Sequence, residues 1–311
     1  MYNNIFYKYK SAFIWTVKLL IIFAAFYFIY IRLHSNKLLS FTNFQNQISL
    51  LFNKKIWYLL ILLLFTDANW FLEIFKWQTL VSTVHKIHFF EAYRQSLASL
   101  TAGLITPNKI GEFGAKALFF SKEKRKKILA LTLIGNASQL LITTFFGLGG
   151  MLYLITHYNA SLTLNKTTYL IAFLMLIALW FLLKKWLLQL FNYFKTISKK
   201  TYGKVLLFSF LRYVAFSHQF YFLLWLFNVE ITYTTALALI FCMYFLASLI
   251  PGITLFDWAI KGSVALWVFS FASVNELTIV TITTLMWLLN FAIPALLGSV
   301  FVFHYNSENL V

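Results

Sequence analysis

Long apolar runs, separated by short basic loops, follow one another along nearly the whole chain. Six of them reach or approach the roughly 20 residues that a bilayer crossing takes: Ala12–Ile31, Ile56–Phe75, Ile128–Thr156, Thr168–Leu183, Val205–Phe227 and Thr278–Phe303. The fourth is the shortest, and Lys184 and Lys185 can snorkel at its end. Two further apolar regions are split. Gln95–Thr106 and Phe113–Ser121 flank the run from Pro107 through Lys109 and Gly111 to Glu112. Ala236–Ile250 and Gly262–Val274 flank Pro251 to Asp257. Each limb is too short to span, and each centre combines a helix breaker with charge. Both regions are therefore expected as re-entrant hairpins or broken helices, which membrane depth tolerates only against protein or a wet cavity.

The order is span, span, broken hairpin, span, and then the same again. Three spans per copy is an odd number, so the second copy must enter upside down relative to the first. The expectation is an all-α, polytopic membrane helix bundle. Residues 1–311 form one integral membrane domain, with pseudo-repeats at about 12–156 and 168–303.

Composition supports this picture. Hydrophobic residues make up 61% of the chain and charged ones 11%, against about 25% charged in soluble domains. A net charge of +17 raises the question of nucleic acid. The basic residues sit in loops between apolar runs, as orientation signals do, and exclude that reading. With the N-terminus inside, the cytoplasmic loops hold 18 of the 26 Lys and Arg and the external loops hold 6. The expected location is the cell inner membrane, multi-pass, with both termini cytoplasmic. The run Lys122-Glu-Lys-Arg-Lys-Lys127 fixes topology and attracts anionic headgroups. Cys242 is alone and apolar in context, so it is read as a small hydrophobe. The first apolar run is too long and too aromatic for a cleaved signal peptide and is expected to stay as a span.

Charge inside an apolar helix costs about 2.5–3.5 kcal/mol at its centre, so such residues point to function. Glu112 precedes Lys116 by four residues just after Pro107, and Asp257 precedes Lys261 by four just after Pro251. That spacing puts acid and base on one helical face in the favourable order. The prolines free backbone groups that can take a headgroup or an ion. Self-neutralisation at a helix end accounts for either pair equally well. Arg212, in mid-span, needs a carboxylate or phosphate, and Glu112, Asp257 and a lipid phosphate are the candidates. Asp67, Asn69 and Glu73 share the second span, Asn69 and Glu73 on one face. Glu73 with Lys76 is expected to reach the cytoplasmic surface, while Asp67 lies deeper. Asn136 and Gln139 in the third span can contact the first hairpin or bond between helices.

Enzyme signatures are absent: there is no His-Glu-x-x-His, no Gly-x-Ser-x-Gly and no phosphate loop. His85 and His88 with Glu91 make a poor metal set. No catalytic residue, metal or cofactor is expected.

The segments Asn69-Trp-Phe-Leu-Glu73-Ile-Phe-Lys-Trp77, Thr106-Pro-Asn-Lys-Ile-Gly-Glu112, and Ile250-Pro-Gly with Asp257 and Lys261-Gly resemble the lysylphosphatidylglycerol synthase transmembrane region, also called the flippase-like domain family. The likeness covers about Ala12 to Phe303. Glu112 fits its Gly-Glu element; Asp257 stands where members tend to have glutamate, and the glycine-rich stretch before it is reduced to Gly252. The resemblance implies movement of lipids between leaflets. With no soluble aminoacyltransferase domain after the last span, lysyl-lipid synthesis is not expected. The leading reading is a flippase for a lipid or lipid-linked intermediate. Glu112, Lys116, Asp257, Lys261 and Arg212 would line its cavity, and membrane lipids with anionic or lipid-linked headgroups would be its partners. The alternative is a non-transporting scaffold for an envelope lipid- or glycan-modifying enzyme. A homodimer fits either.

Overall fold

A computed structural model describes residues 56–104, 106, 110–158, 197–250 and 257–305, with Thr16 and Ser49 as isolated positions; of Asp257 and Ala259 only the backbone is described. Of the described residues 85% are helical, and none lies in a strand. The helices are α1 (Trp57–Val81), α2 (Phe89–Leu104), α3 (Ile110–Leu118), α4 (Arg125–Tyr158), α5 (Lys199–Leu226), α6 (Tyr233–Leu249), α7 (Asp257–Ser270) and α8 (Glu276–Phe303). Three of them, α1, α4 and α8, are long and apolar enough to cross a membrane. At 28 residues α5 is as long, but Arg212, His218 and Gln219 reduce its hydropathy. The expected spans Ala12–Ile31 and Thr168–Leu183 lie outside the described residues.

The outer faces carry Leu64, Phe145 and Leu152, each more than half exposed. Water would penalise such rows, and lipid would not. Several boundaries differ from those predicted by apolar runs. α1 continues to Val81, because Lys76 and Gln78 interrupt the hydrophobic pattern without interrupting the helix. α2 starts at Phe89 rather than Gln95, and α3 at Ile110 rather than Phe113. Their first turns contain Glu91 and Glu112, which fit a helix N-terminus electrostatically but not a hydropathy window.

α1 packs along α5, α4 along α6, and α8 along α2. The limbs α2 and α3 pack on each other, as do α6 and α7, so both split regions fold back as the pattern predicts. α3 then leans on α4, and α7 on α8. Glycine permits two close crossings between the halves. A Cβ at Gly150 in α4 would strike the Ala238 carbonyl of α6, and one at Gly298 in α8 would strike the Leu97 carbonyl of α2. Beside Gly298, the Thr101 hydroxyl donates to the Ala295 carbonyl at 2.8 Å.

Two cores result. One combines α1 to α3 and the start of α4 with the first turns of α5, through Ile74, Trp77, Phe120, Leu131 and Val205. The other combines α5 to α8 with the first turns of α1 and the end of α4, through Leu62, Leu154, Phe220, Leu239 and Phe269. Between them α8 makes one π turn, Leu288–Ala292. Its cause is Pro294, which has no N–H to give to the Asn290 carbonyl four residues earlier. That carbonyl accepts the Trp70 indole N–H instead, at 3.2 Å.

Candidate functional site

The first hairpin presents its charge at the second limb. The Thr106 hydroxyl accepts the Gly111 N–H at 2.7 Å and starts α3. Gly111 sits against the Ala102 carbonyl, where a side chain would not fit, and this closeness sets the register of α3 on α2. One residue on, Glu112 turns inward, and Lys116 meets it at 2.8 Å, one helical turn away. Lys116 is 3% exposed. Its ammonium stands over the Trp77 ring at 4.6 Å, and the Trp77 indole donates to Gln95 at 2.9 Å. A buried ammonium is thus held by a carboxylate on one side and an aromatic face on the other.

α1 and α5 are tied by a second set of charges. Arg212 donates to Glu73 at 2.6 Å and to the Asn69 side-chain oxygen at 2.8 Å. Lys76 pairs with the same Glu73 oxygen at 2.7 Å. Two corrections follow. Arg212 was expected to meet Glu112, Asp257 or a lipid phosphate; among the described side chains its carboxylate partner is Glu73. Lys76 was expected at the cytoplasmic surface with Glu73; it is 2% exposed. Both outcomes have one cause. α1 and α5 lie side by side, so the cation on α5 is nearest to the acid on α1, and Glu73 is drawn inward with Lys76.

A chain of amides extends this set. Asn69 donates to Asn290 at 2.8 Å, Asn290 to Gln219 at 2.8 Å, and Gln219 to the Thr66 hydroxyl at 2.8 Å. α1, α5 and the π turn of α8 are joined by side chains with few alternative partners in an apolar bundle.

These groups border one cavity of about 460 Å³. It collects Asn69, Glu73, Glu112, Lys116, Arg212 and Lys261, and Asn136, Gln139 and Asn290 also line it. The rest of the wall is mostly apolar and aromatic, including Trp258 and Phe291. Three cationic side chains face it against two carboxylates among the described residues. Lys261 stands over the Phe291 ring at 4.8 Å. Gln139 donates to the Ser209 carbonyl of α5 at 3.4 Å, not to the first hairpin. Its side-chain oxygen and the Ser96 hydroxyl are buried at the cavity wall, without a hydrogen-bond partner among the described residues. Orphaned polar atoms of this kind are uncommon in finished interiors and suit a polar occupant.

Of the remaining candidates, Pro107, Lys109 and Pro251 lie outside the described residues, as does the side chain of Asp257. Asp67 is exposed on the outer face of α1, away from the cavity. Sequence reasoning passed over Asn290, Ser96 and Trp77. The signal for Asn290 was present: an amide inside an uncharged apolar run, four residues before a proline. Among the described residues no group of three or more His, Cys, Asp or Glu is gathered for a metal.

No protein-family model matches the chain, and no curated protein matches it in sequence. The fold and the site define an all-helical protein with helices of membrane-crossing length and a charged, largely apolar internal cavity.

Proposed function

We propose that the protein moves a lipid or lipid-linked intermediate between the leaflets of the cell inner membrane. The observation that carries this reading is the convergence of charge from both hairpins on one cavity. Glu112 and Lys116 come from the first and Lys261 from the second. Charge is costly at membrane depth, and a cavity for a polar headgroup is the usual reason to retain it. Among the described side chains the excess of cationic over anionic lining favours an anionic headgroup, while the apolar wall suits the start of an acyl or polyprenyl chain. No catalytic pair, cofactor or nucleotide is part of the mechanism; exchange follows a gradient, substrate supply or equilibration.

The finer architecture belongs to the same proposal. The chain crosses six times with both termini cytoplasmic, and the two hairpins enter from opposite sides. An inverted repeat explains why contacts come in matched sets. α4 on α6 mirrors α8 on α2, α3 on α4 mirrors α7 on α8, and each core borrows a helix end from the other half. Rocking of one half on the other would expose the cavity to each leaflet in turn. The resemblance to the flippase-like family is consistent with this scheme.

Reconstitution into liposomes tests the function. Wild-type protein is expected to exchange fluorescent anionic phospholipid or a polyprenyl phosphate between leaflets, and folded Glu112→Gln to lose most of that rate. Exchange by neither lipid class in the wild type would favour the scaffold reading.

A further inference from the structure

α1 has one polar residue where lipid should be. Leu60, Leu64, Asp67 and Phe71 recur at three- and four-residue steps and form an outward row, with each of the apolar members more than 40% exposed. Asp67 interrupts this row, exposed, on the side turned away from the cavity. Among the described residues it has no ion-pair partner. It stands about 15 Å from Trp57 at 1.5 Å per residue, near mid-span. A carboxylate there calls for a cation on a neighbouring helix.

We infer that the outer face of α1 is the docking surface for the chain's own first apolar run, Ala12–Ile31, with Lys18 paired to Asp67. Charge and depth both select this occupant. Of the two expected spans outside the described residues, Thr168–Leu183 has no charged residue and Ala12–Ile31 has Lys18 alone. Arg212, the other mid-span cation, is already engaged by Glu73 and Asn69. Consecutive spans run antiparallel, so Ile31 and Trp57 share one side of the membrane. Lys18 then lies about 20 Å from that side and Asp67 about 15 Å, a difference within reach of a lysine's flexible four-carbon stem. A second copy is the weaker fit, because a two-fold contact of α1 with itself would set Asp67 against Asp67. This inference rests on the membrane reading of the apolar helices and not on lipid movement.

Cysteine pairs in full-length Cys242→Ala protein, in native membranes, provide the test. Leu64→Cys with Ile22→Cys, and Phe71→Cys with Ile14→Cys, lie at matched depths; Phe71→Cys with Ile22→Cys does not. The matched pairs are expected to cross-link within one chain about tenfold faster than the mismatched pair. Asp67→Lys alone and Lys18→Asp alone are each expected to lower the folded yield about tenfold, and the double exchange to restore it to within about twofold. No intrachain cross-link at either matched pair, or failure of the double exchange to restore folding, would overturn the assignment. So would a dimer formed by Leu64→Cys alone, or its cross-linking to another protein.

Discussion

The two halves, α1 to α4 and α5 to α8, share an order of helices and differ in the charges that their first long helices carry. Each runs long helix, hairpin, long helix, and the last helix of each, α4 or α8, crosses the other half's hairpin at a glycine. In the first half the lysine after the hairpin is closed in, paired with Glu112 and covered by Trp77. In the second half Lys261 stands over Phe291, partly exposed to the cavity. The long helices complement one another: α1 supplies the acid Glu73, and α5 supplies the base Arg212. The halves are thus held together by an ion pair that neither could make alone.

Removing the acid should break this arrangement most severely. Glu73→Gln leaves Lys76 buried and Arg212 half-buried with no shared carboxylate, and it should cost about 3–5 kcal/mol. Denaturant titration of the detergent-solubilised protein measures it, and a cost under about 1 kcal/mol would mean that water already solvates the pair. Next come the crossings. Gly150→Val and Gly298→Val should each cost about 1–3 kcal/mol by overpacking, by similar amounts if the crossings are equivalent. A cost at one only, seen as a lower unfolding midpoint, would break the correspondence between the halves. The smallest effect separates the two lysines. Phe291→Leu removes the ring beneath Lys261 and should cost about 0.5–1 kcal/mol. Trp77→Leu should cost more, because Gln95 also loses its donor.

Much of this was legible along the chain. The two hairpins, the Glu112–Lys116 pair and the shared face of Asn69 and Glu73 follow from local spacing, and local spacing is what a sequence states directly. The partner of Arg212 was not legible, because its nearest acid depends on which helices lie side by side. Lys76 was misread for a related reason. A lysine near a helix end reads as a snorkelling group, until a neighbouring helix covers it and a carboxylate holds it inward. Asn290 shows a third kind of miss: a single amide in an apolar run reads as helix glue, and only the π turn beneath Pro294 reveals how many partners it joins.

The central claim is that the cavity is a passage for a headgroup, open to each leaflet in turn. Asn136 lines it without serving in either ion-pair set. The most direct measurement is the labelling of Asn136→Cys, in Cys242→Ala protein of known orientation in liposomes, by a membrane-impermeant thiol reagent added on one side and then on the other. Labelling from both sides, slowed by the lipid that exchanges, is the predicted result; labelling from one side only, unaffected by any lipid, would contradict it.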